Sequence, residues 1–447
     1  MLSPDQSRSI AETLVERGIA AGATAADALY IGERSAGVQV RLGELDSVNR
    51  SEGEEIGLRL FMGQQSATVA SSDLSDEALT ILVERCLAMA KEAPPDPYAG
   101  LAPQELLEHE QSLLESDDGR EMEPSELRAR ALECEQAALA VPGVMNSSGA
   151  GASSSASIVA LATSGGFSGA YRSSGHGISA VVVAGEGTSM QRDFASHSTR
   201  YLEELDAPVE VGRLAGERAV ARLQPRRPAP GKYPVIFDPR VASTLLGHFA
   251  GAITGASIAR RASFLLEKHG EPVFAKGVTI VDHPLRKRGL RSRPFDGEGL
   301  RVSRRELVSG GILNSWMAES ASARQLGIAP TGHAARGVGG APGASPSNFY
   351  MEPNSRSRDE LLASVPEAIL VIELIGQGVN AVTGDYSRGA VGFMVRRGEI
   401  AEPVAEITIA GNLIDMFLTL EPASDLEFRR GIDAPTILVP EMTVAAA

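Results

Sequence analysis

The first half of the chain alternates between two apolar periodicities, one typical of helices and one typical of strands. Helical spacing predicts helices at residues 3–17, 75–93, 124–139 and 208–223. Alternation of apolar and polar residues predicts strands at residues 26–33, 37–42, 57–62, 65–70, 157–163, 167–171 and 178–184. Because short turns separate neighbouring strands, we expect antiparallel pairing. The first half is therefore predicted to mix helices with antiparallel strands in two lobes.

One segment of this half has two interpretations. Residues 146–155 have the sequence NSSGAGASSS, a composition typical of a flexible linker. The residues that follow have the pattern of a hairpin with its turn at 164–166. This neighbourhood favours tightly turned antiparallel strands for the small residues, with a linker as the alternative.

The second half begins after a clear linker at residues 224–231, QPRRPAPG. A short strand at 233–237 precedes a helix at 239–255, which has Asp238 as its N-cap and Pro239 in its first turn. Further strands are predicted at residues 277–282, 301–308, 368–376, 390–398 and 405–412. This half is therefore predicted to be β-rich.

These patterns together predict an α+β fold, with a two-lobed N-terminal half and a β-rich C-terminal domain. A Pro-rich stretch at 94–97 provides a first boundary, and the linker provides the second. The predicted domains are residues 1–97, 98–225 and 226–447.

The charge and the cysteine content exclude several classes of function. The net charge of −15 argues against a surface for nucleic acid or for an anionic membrane, because both require a basic patch. We see neither a strongly apolar run of transmembrane length nor a secretory signal at the N-terminus. Cys86 and Cys134 fall at apolar helical positions and are expected to be buried thiols, with a disulfide between them left open. A cytoplasmic location is expected.

The polar residues contain no complete catalytic motif. His248 lies alone on a mainly apolar helix, and Asp282-His283 is an isolated pair before a proline. Asp296 and Glu298 could offer oxygens to a cation, but their sequence DGEG is more typical of a turn. Residues 335–343 are interpreted as a mobile loop at a groove edge, and residues 383–389 as a tight turn between two strands.

Longer motifs of the second half resemble a known family. They are YPVIFDPRVASTLLGHFAGAITGASIARRASFL at 233–265, PFDGEGL at 294–300, ARQLGIAPTGHAAR at 323–336, SNFYMEP at 347–353, GQGVNAVTGDYSRGAVGFMV at 376–395 and PVAEITIAGNLIDM at 403–416. With SEGEEIGLRLF at 51–61, they resemble the TldD/PmbA family over nearly the whole chain, and the PmbA branch, also called TldE, most closely.

The resemblance implies a non-catalytic subunit of a cytosolic peptidase complex. In that family the TldD subunit carries a zinc helix, HExxxH, together with a distal Cys. The aligned positions in this chain are Gly247, His248 and Ala252, and no Cys follows Cys134. The resemblance therefore implies a chain that binds no zinc and is inactive alone. It implies a heterodimer with a zinc-bearing TldD-like subunit, or a homodimer in isolation, that takes in unfolded or extended peptides.

Two alternatives accompany this hypothesis. A self-sufficient metallohydrolase would use His248, His283 or His333 with Asp282 or Asp385. A regulatory protein that modulates DNA gyrase or another client would need no proteolytic role. If this chain forms part of a peptide groove, the candidate residues are Asn348, Phe349, Tyr350, Asp385, Tyr386 and Arg388.

Overall fold

The computed structural model describes residues 1–446. The N-terminal half has four helices, α1 (Pro4–Ala20), α2 (Asp76–Glu92), α3 (Pro124–Leu139) and α4 (Pro208–Ala221). Its strands are β1 (Ala25–Arg41), β2 (Glu44–Met62), β3 (Gln65–Ser71), β4 (Val144–Thr163), β5 (Ser168–Ala184) and β6 (Gln191–Thr199). All six strands form one antiparallel sheet in the order β3-β2-β1-β4-β5-β6.

The sheet lies between a layer of helices and the C-terminal half. Even-numbered residues of β1, such as Ala28 and Val38, lie in cores with the helices. The opposite face of β1 carries Leu29, which packs with Phe295 and Leu300 of the C-terminal half. This two-sided packing follows from the strand period of two residues.

Several strands are longer than the sequence pattern predicted. The predicted strands 26–33 and 37–42 belong to one continuous strand, β1, that pairs with β2 and β4 along its length. The segment 146–155 is part of β4, so the strand interpretation is confirmed and the linker alternative is wrong. Ala150 and Ala152 of this segment are buried in the core that contains α3 and α4. Small side chains at these positions allow the helices to approach the sheet closely.

Up to residue 446, the C-terminal half has five α-helices, α5 (Pro239–Ala252), α6 (Gly255–Ala259), α7 (Ser320–Leu326), α8 (Arg358–Ala363) and α9 (Leu413–Thr419). Its longer strands are β7 (Gly231–Phe237), β14 (Glu367–Ile375), β15 (Asp385–Arg396), β16 (Glu399–Asn412) and β19 (Ile437–Ala446). Its shorter strands are β8 (Ile280–Asp282), β9 (Arg305–Ser309), β10 (Ile312–Leu313), β11 (Ala334–Ala335), β12 (Gly343–Ala344), β13 (Phe349–Met351), β17 (Glu421–Pro422) and β18 (Ile432–Asp433). The predicted α+β fold class is confirmed.

The five longer strands close into a small barrel. They pair in the order β16-β15-β14-β7-β19, and β16 also pairs with β19. Helix α5 packs on one side of these strands, whose residues Val235 and Phe237 share its core, and α8 packs on the other, against Ile236. A second sheet, β10-β9-β8-β13-β18, adjoins α5.

The predicted turn at 383–389 is wrong over most of its length. Strand β15 begins at Asp385, and Asp385 to Gly389 pair with residues of β16. The turn lies just before it, where the Asn380 side chain accepts hydrogen bonds from the backbone of Val382 and Thr383. Residues typical of turns therefore occupy the first positions of β15. They form a strand because their backbone pairs with β16, a contact that the local sequence does not indicate.

The predicted mobile loop at 335–343 is held against the first sheet. Arg336, with its side chain 3% exposed, lies 2.6 Å from Oδ1 of Asp27 in β1. Arg59 of β2 donates to Oδ2 of the same carboxylate through its Nε at 2.8 Å. Burial alone would raise the pKa of Asp27, but Arg336 and Arg59 lower it overall. This buried ion cluster joins the two halves of the molecule, whereas the predicted division at residue 97 stays a prediction.

Candidate functional site

Helix α5 carries the positions at which the resembled family places its zinc ligands. Asp238 caps the helix by accepting a hydrogen bond from the backbone of Arg240, and Pro239 occupies the first turn. One face of the helix, which includes Leu245 and Phe249, is fully buried. The local sequence therefore explains both where the helix begins and which face it buries.

The other face of α5 is open where it carries glycine. Gly247 and Gly251 lie one helical turn apart, and a Cβ atom at either position would meet no atom within 4 Å other than the neighbouring residues and backbone of α5 itself. His248, beside them, is half-buried, and its Nε2 has no hydrogen-bond partner within residues 1–446. Burial and the nearby Arg388 lower the pKa of His248, so the imidazole is neutral at pH 7.

The residues at these positions do not fit a zinc ion. Gly247 and Ala252 offer no side-chain donor, so His248 is the single candidate ligand among the three. Structural zinc sites need four ligands, and catalytic sites use three protein ligands with one position open for water. Throughout residues 1–446, no group of three or more His, Cys, Asp or Glu side chains is placed to hold a metal ion.

Three of the candidate groove residues lie next to His248 or on the same strand. The ring of Tyr386 packs edge-on against His248, with 6.1 Å between the centroids, and its hydroxyl is buried without a hydrogen-bond partner in the described chain. Burial raises the pKa of this hydroxyl. Arg388 is also buried, whereas Asp385 is exposed and accepts a hydrogen bond from Thr383 at 2.6 Å.

The other three candidate groove residues lie on or beside β13, in the second sheet. Phe349 is fully buried and stacks on Phe249 of α5, with 6.2 Å between the ring centroids. Asn348 is 2% exposed and holds the neighbouring loop through its contacts with Ser292. Tyr350 is partly exposed and packs edge-on against Phe428 at 5.0 Å. The structure therefore divides the six residues into two groups, and their role in a groove stays a prediction.

Other polar candidates lie in buried hydrogen-bond networks elsewhere in the C-terminal half. His333 lies 3.4 Å from the buried carboxylate of Asp282. This carboxylate accepts hydrogen bonds from the backbone and the hydroxyl of Ser347. The glycine-flanked Glu298 is 5% exposed and accepts from the backbone and hydroxyl of Ser320. Burial and the nearby Asp296 raise the pKa of Glu298 to about 7. Cys86 and Cys134 are free buried thiols, as predicted.

Sequence reasoning missed a cleft between the two halves. It lies between β6 and α4 on one side and the N-terminal end of α5 on the other. Six arginines line it, Arg213, Arg218, Arg240, Arg358, Arg429 and Arg430. They come from four separate segments of the chain, so no local sequence signal brings them together. Six carboxylates line the same cleft, so its formal charges balance; they belong to Asp206, Glu210, Asp238, Asp425, Glu427 and Asp433.

Comparison with known proteins assigns the family. Three family profiles match in order: PmbA/TldA metallopeptidase domain 1 at residues 26–90, the central domain at 117–223 and the C-terminal domain at 230–446. Metalloprotease PmbA from Escherichia coli O157:H7 is 38% identical over 410 residues, which cover 91% of this chain and 89% of that protein. The metalloprotease PmbA homolog from Haemophilus influenzae is also 38% identical, over 91% of this chain and 89% of its own length.

Solved structures share the fold over the full length. A Bacteroides thetaiotaomicron protein, described as a candidate modulator of DNA gyrase, superposes with a TM-score of 0.92 at 23% identity and covers 100% of both chains. TldE from Thermococcus kodakarensis superposes with a TM-score of 0.87 at 19% identity, over 98% of this chain and 100% of its own. No helix within residues 1–446 has the length and apolar character needed to cross a membrane. On the profile and sequence matches, the chain belongs to the PmbA/TldD family.

Proposed function

We propose that this chain is a metal-free subunit of a TldD/TldE-type zinc metallopeptidase complex in the cytoplasm. The observation that carries the proposal is the open face of α5, where Gly247 and Ala252 stand at the family's zinc positions and His248 stands at the position of its general base. A water molecule needs a metal held by several protein ligands before its pKa falls to about 7. The zinc and the general base therefore come from a TldD-like partner, and this chain contributes binding surface for unfolded or extended peptides.

The names of the relatives support membership of a metalloprotease system. Two relatives with 38% identity over 91% of the chain are called metalloprotease PmbA or a homolog of it. This chain shares their family, but His248 is the single donor at the three zinc-helix positions of α5. Because one imidazole does not make a zinc site, a self-sufficient metallohydrolase is not favoured by the residues present.

The test is reconstitution with a zinc-bearing TldD-like chain. We expect this chain alone to contain less than about 0.1 equivalents of zinc and to cleave no unfolded peptide, since it lacks a ligand set. The mixture should form a stable complex in size-exclusion chromatography with light scattering, and it should cleave a labelled unfolded peptide faster than the partner does alone.

Two variants identify the source of the chemistry. His248→Ala in this chain should leave the activity of the complex within about twofold, because His248 belongs to no ligand set within residues 1–446. Glu→Gln in the partner's zinc helix should abolish the activity. One zinc per chain in this protein alone, with chelator-sensitive cleavage that His248→Ala removes, would refute the proposal.

A further inference from the structure

Strand β6 is the outer strand of the first sheet, and its free edge faces the cleft between the two halves. The cleft has a volume of about 840 Å³, and residues 194–198 of β6 form part of its wall. The opposite wall includes Pro239 and Arg240 at the beginning of α5. The open edge of a sheet presents a row of backbone groups that another chain can pair with.

The hydrogen bonds of Phe194 show which backbone groups face the cleft. Its N–H donates to Oδ1 of Asp193 at 2.7 Å, and its carbonyl accepts from Nη1 of Arg218 at 3.2 Å, so neither group bonds to β5. Successive residues of an antiparallel strand alternate between the two sides, and β6 pairs with β5 without a register shift. Ser196 and Ser198 therefore also direct their backbone groups away from β5, where the described chain supplies no hydrogen-bond partner.

Apolar and cationic side chains flank this edge. Phe194 and Leu214 line the cleft and are 46% and 39% exposed, respectively. Because Ala195 packs with α4, Phe194 directs its side chain to the face of β6 opposite to α4 and Leu214. An extended peptide that pairs with β6 would place successive side chains on the two faces, one against Phe194 and the next against Leu214.

Two of the cleft's arginines have no ion-pair partner within residues 1–446. Arg240, Arg358 and Arg429 each lie within 4.0 Å of a carboxylate. In the described chain, by contrast, neither Arg218 nor Arg430 has an acidic oxygen within that distance. Burial, with Arg240 nearby, lowers the pKa of Arg218 to about 10. None of the six carboxylates that also line the cleft pairs with Arg218 or Arg430 within residues 1–446, so these two guanidinium groups can pair with an added anion.

We propose that this cleft binds the C-terminal end of an extended peptide. The peptide adds to the free edge of β6 as a seventh strand. Its last two side chains pack on Phe194 and Leu214, and its terminal carboxylate pairs with Arg218 and Arg430. This inference deepens the proposed function, because it specifies how a peptide substrate would be held by the subunit without metal.

The test measures peptide binding to this chain alone. The probe is a fluorescein-labelled eight-residue peptide, rich in Val and Thr and ending in Leu, followed by fluorescence anisotropy. A free C-terminus should bind at least about tenfold more tightly than the same peptide ending in an amide, because a charge-assisted bond is lost. In a strand, every second amide faces the neighbouring strand. N-methylation of the amides that face β6 should therefore abolish binding, and N-methylation of the amides between them should leave it unchanged.

Protein variants test the two arginines. Arg218→Gln and Arg430→Gln should each weaken binding of the free-acid peptide by about tenfold or more. Arg430 is exposed, so its variant tests the charge without disturbing the fold. The matched control is Arg120→Gln, which removes the same charge at an exposed site outside the cleft and should leave binding unchanged.

Three results would overturn the inference. They are equal binding of the acid and the amide, unchanged binding by both arginine variants, and binding of inorganic phosphate at Arg218 without any binding of peptide. Activation of a TldD-like partner is measured separately. If activation persists while peptide binding fails, this inference is wrong and the proposed function stands. If peptide binding succeeds and activation fails, the proposed function is wrong.

Discussion

Replacing Asp27 with Asn should destabilise both halves of the molecule at once. Asp27 is 2% exposed, and its carboxylate lies between Arg59 of β2 and Arg336 of the loop from the C-terminal half. The substitution keeps the size of the side chain and removes its charge. Two guanidinium groups, themselves 9% and 3% exposed at the side chain, then remain buried without a counter-ion.

The expected loss of unfolding free energy is about 3–5 kcal/mol, the cost of removing one partner from a buried ion pair. Arg336→Met should cost less, about 1.5–3 kcal/mol, because Asp27 keeps its hydrogen bonds with Arg59. The losses should not add in the double variant, since both substitutions act on one cluster. Lys232→Ala is the control, because its partner Glu441 is exposed and such pairs contribute about 1 kcal/mol or less.

Equilibrium unfolding in urea measures these differences. Fluorescence of the single tryptophan, Trp316, follows the C-terminal half, and circular dichroism follows the whole chain. In the Asp27→Asn variant, the urea midpoints from both signals should fall. The two midpoints should also differ from each other, because the halves then unfold less cooperatively. A loss below about 1 kcal/mol, or a loss equal to that of Lys232→Ala, would refute the conclusion that this cluster joins the halves.

Three further predictions concern pH, packing and thiol reactivity. Because the pKa of Glu298 is raised to about 7, the folded state holds a proton that the unfolded state releases, so stability should fall by about 3 kcal/mol between pH 4.5 and 7. Glu298→Gln should reduce this slope in urea titrations, and the remaining slope comes from Asp296, whose pKa burial also raises. A Cβ at Gly212 would lie 2.0 Å from the carbonyl oxygen of Cys134, so Gly212→Ala should lower the melting temperature. Gly247→Ala, on the open face of α5, should instead raise the free energy of unfolding by about 0.5–1 kcal/mol. Burial raises the pKa of Cys86 to about 11 and of Cys134 to about 12, so a thiol reagent such as DTNB should label neither until denaturant is added; labelling of the native protein would contradict their burial.

The sequence alone predicted the helices of the first half and the residues at the zinc-ligand positions of α5. Each helix in the first half has an amphipathic pattern and a recognisable N-terminal signal, such as Ser75 before α2, and the predicted bounds differ by a few residues at most. The sequence also shows that Gly247 and Ala252 replace the two zinc-binding histidines of the family's zinc helix. These features depend on neighbours within one or two turns, so local residues decide them.

Tertiary contacts decided the strands and the clustering of charge. Strand β4 continues through a glycine- and serine-rich segment because β1 and β5 pair with it on both sides. Arg218 and Arg430 face one cleft although 212 residues separate them, and Asp27 meets Arg336 across 309 residues. The sequence by itself determined which segments become helices, which family motifs are present and which zinc ligands are replaced. Which strand edge stays open, and which charges meet there, depends on contacts between distant segments, and no local periodicity contains that information.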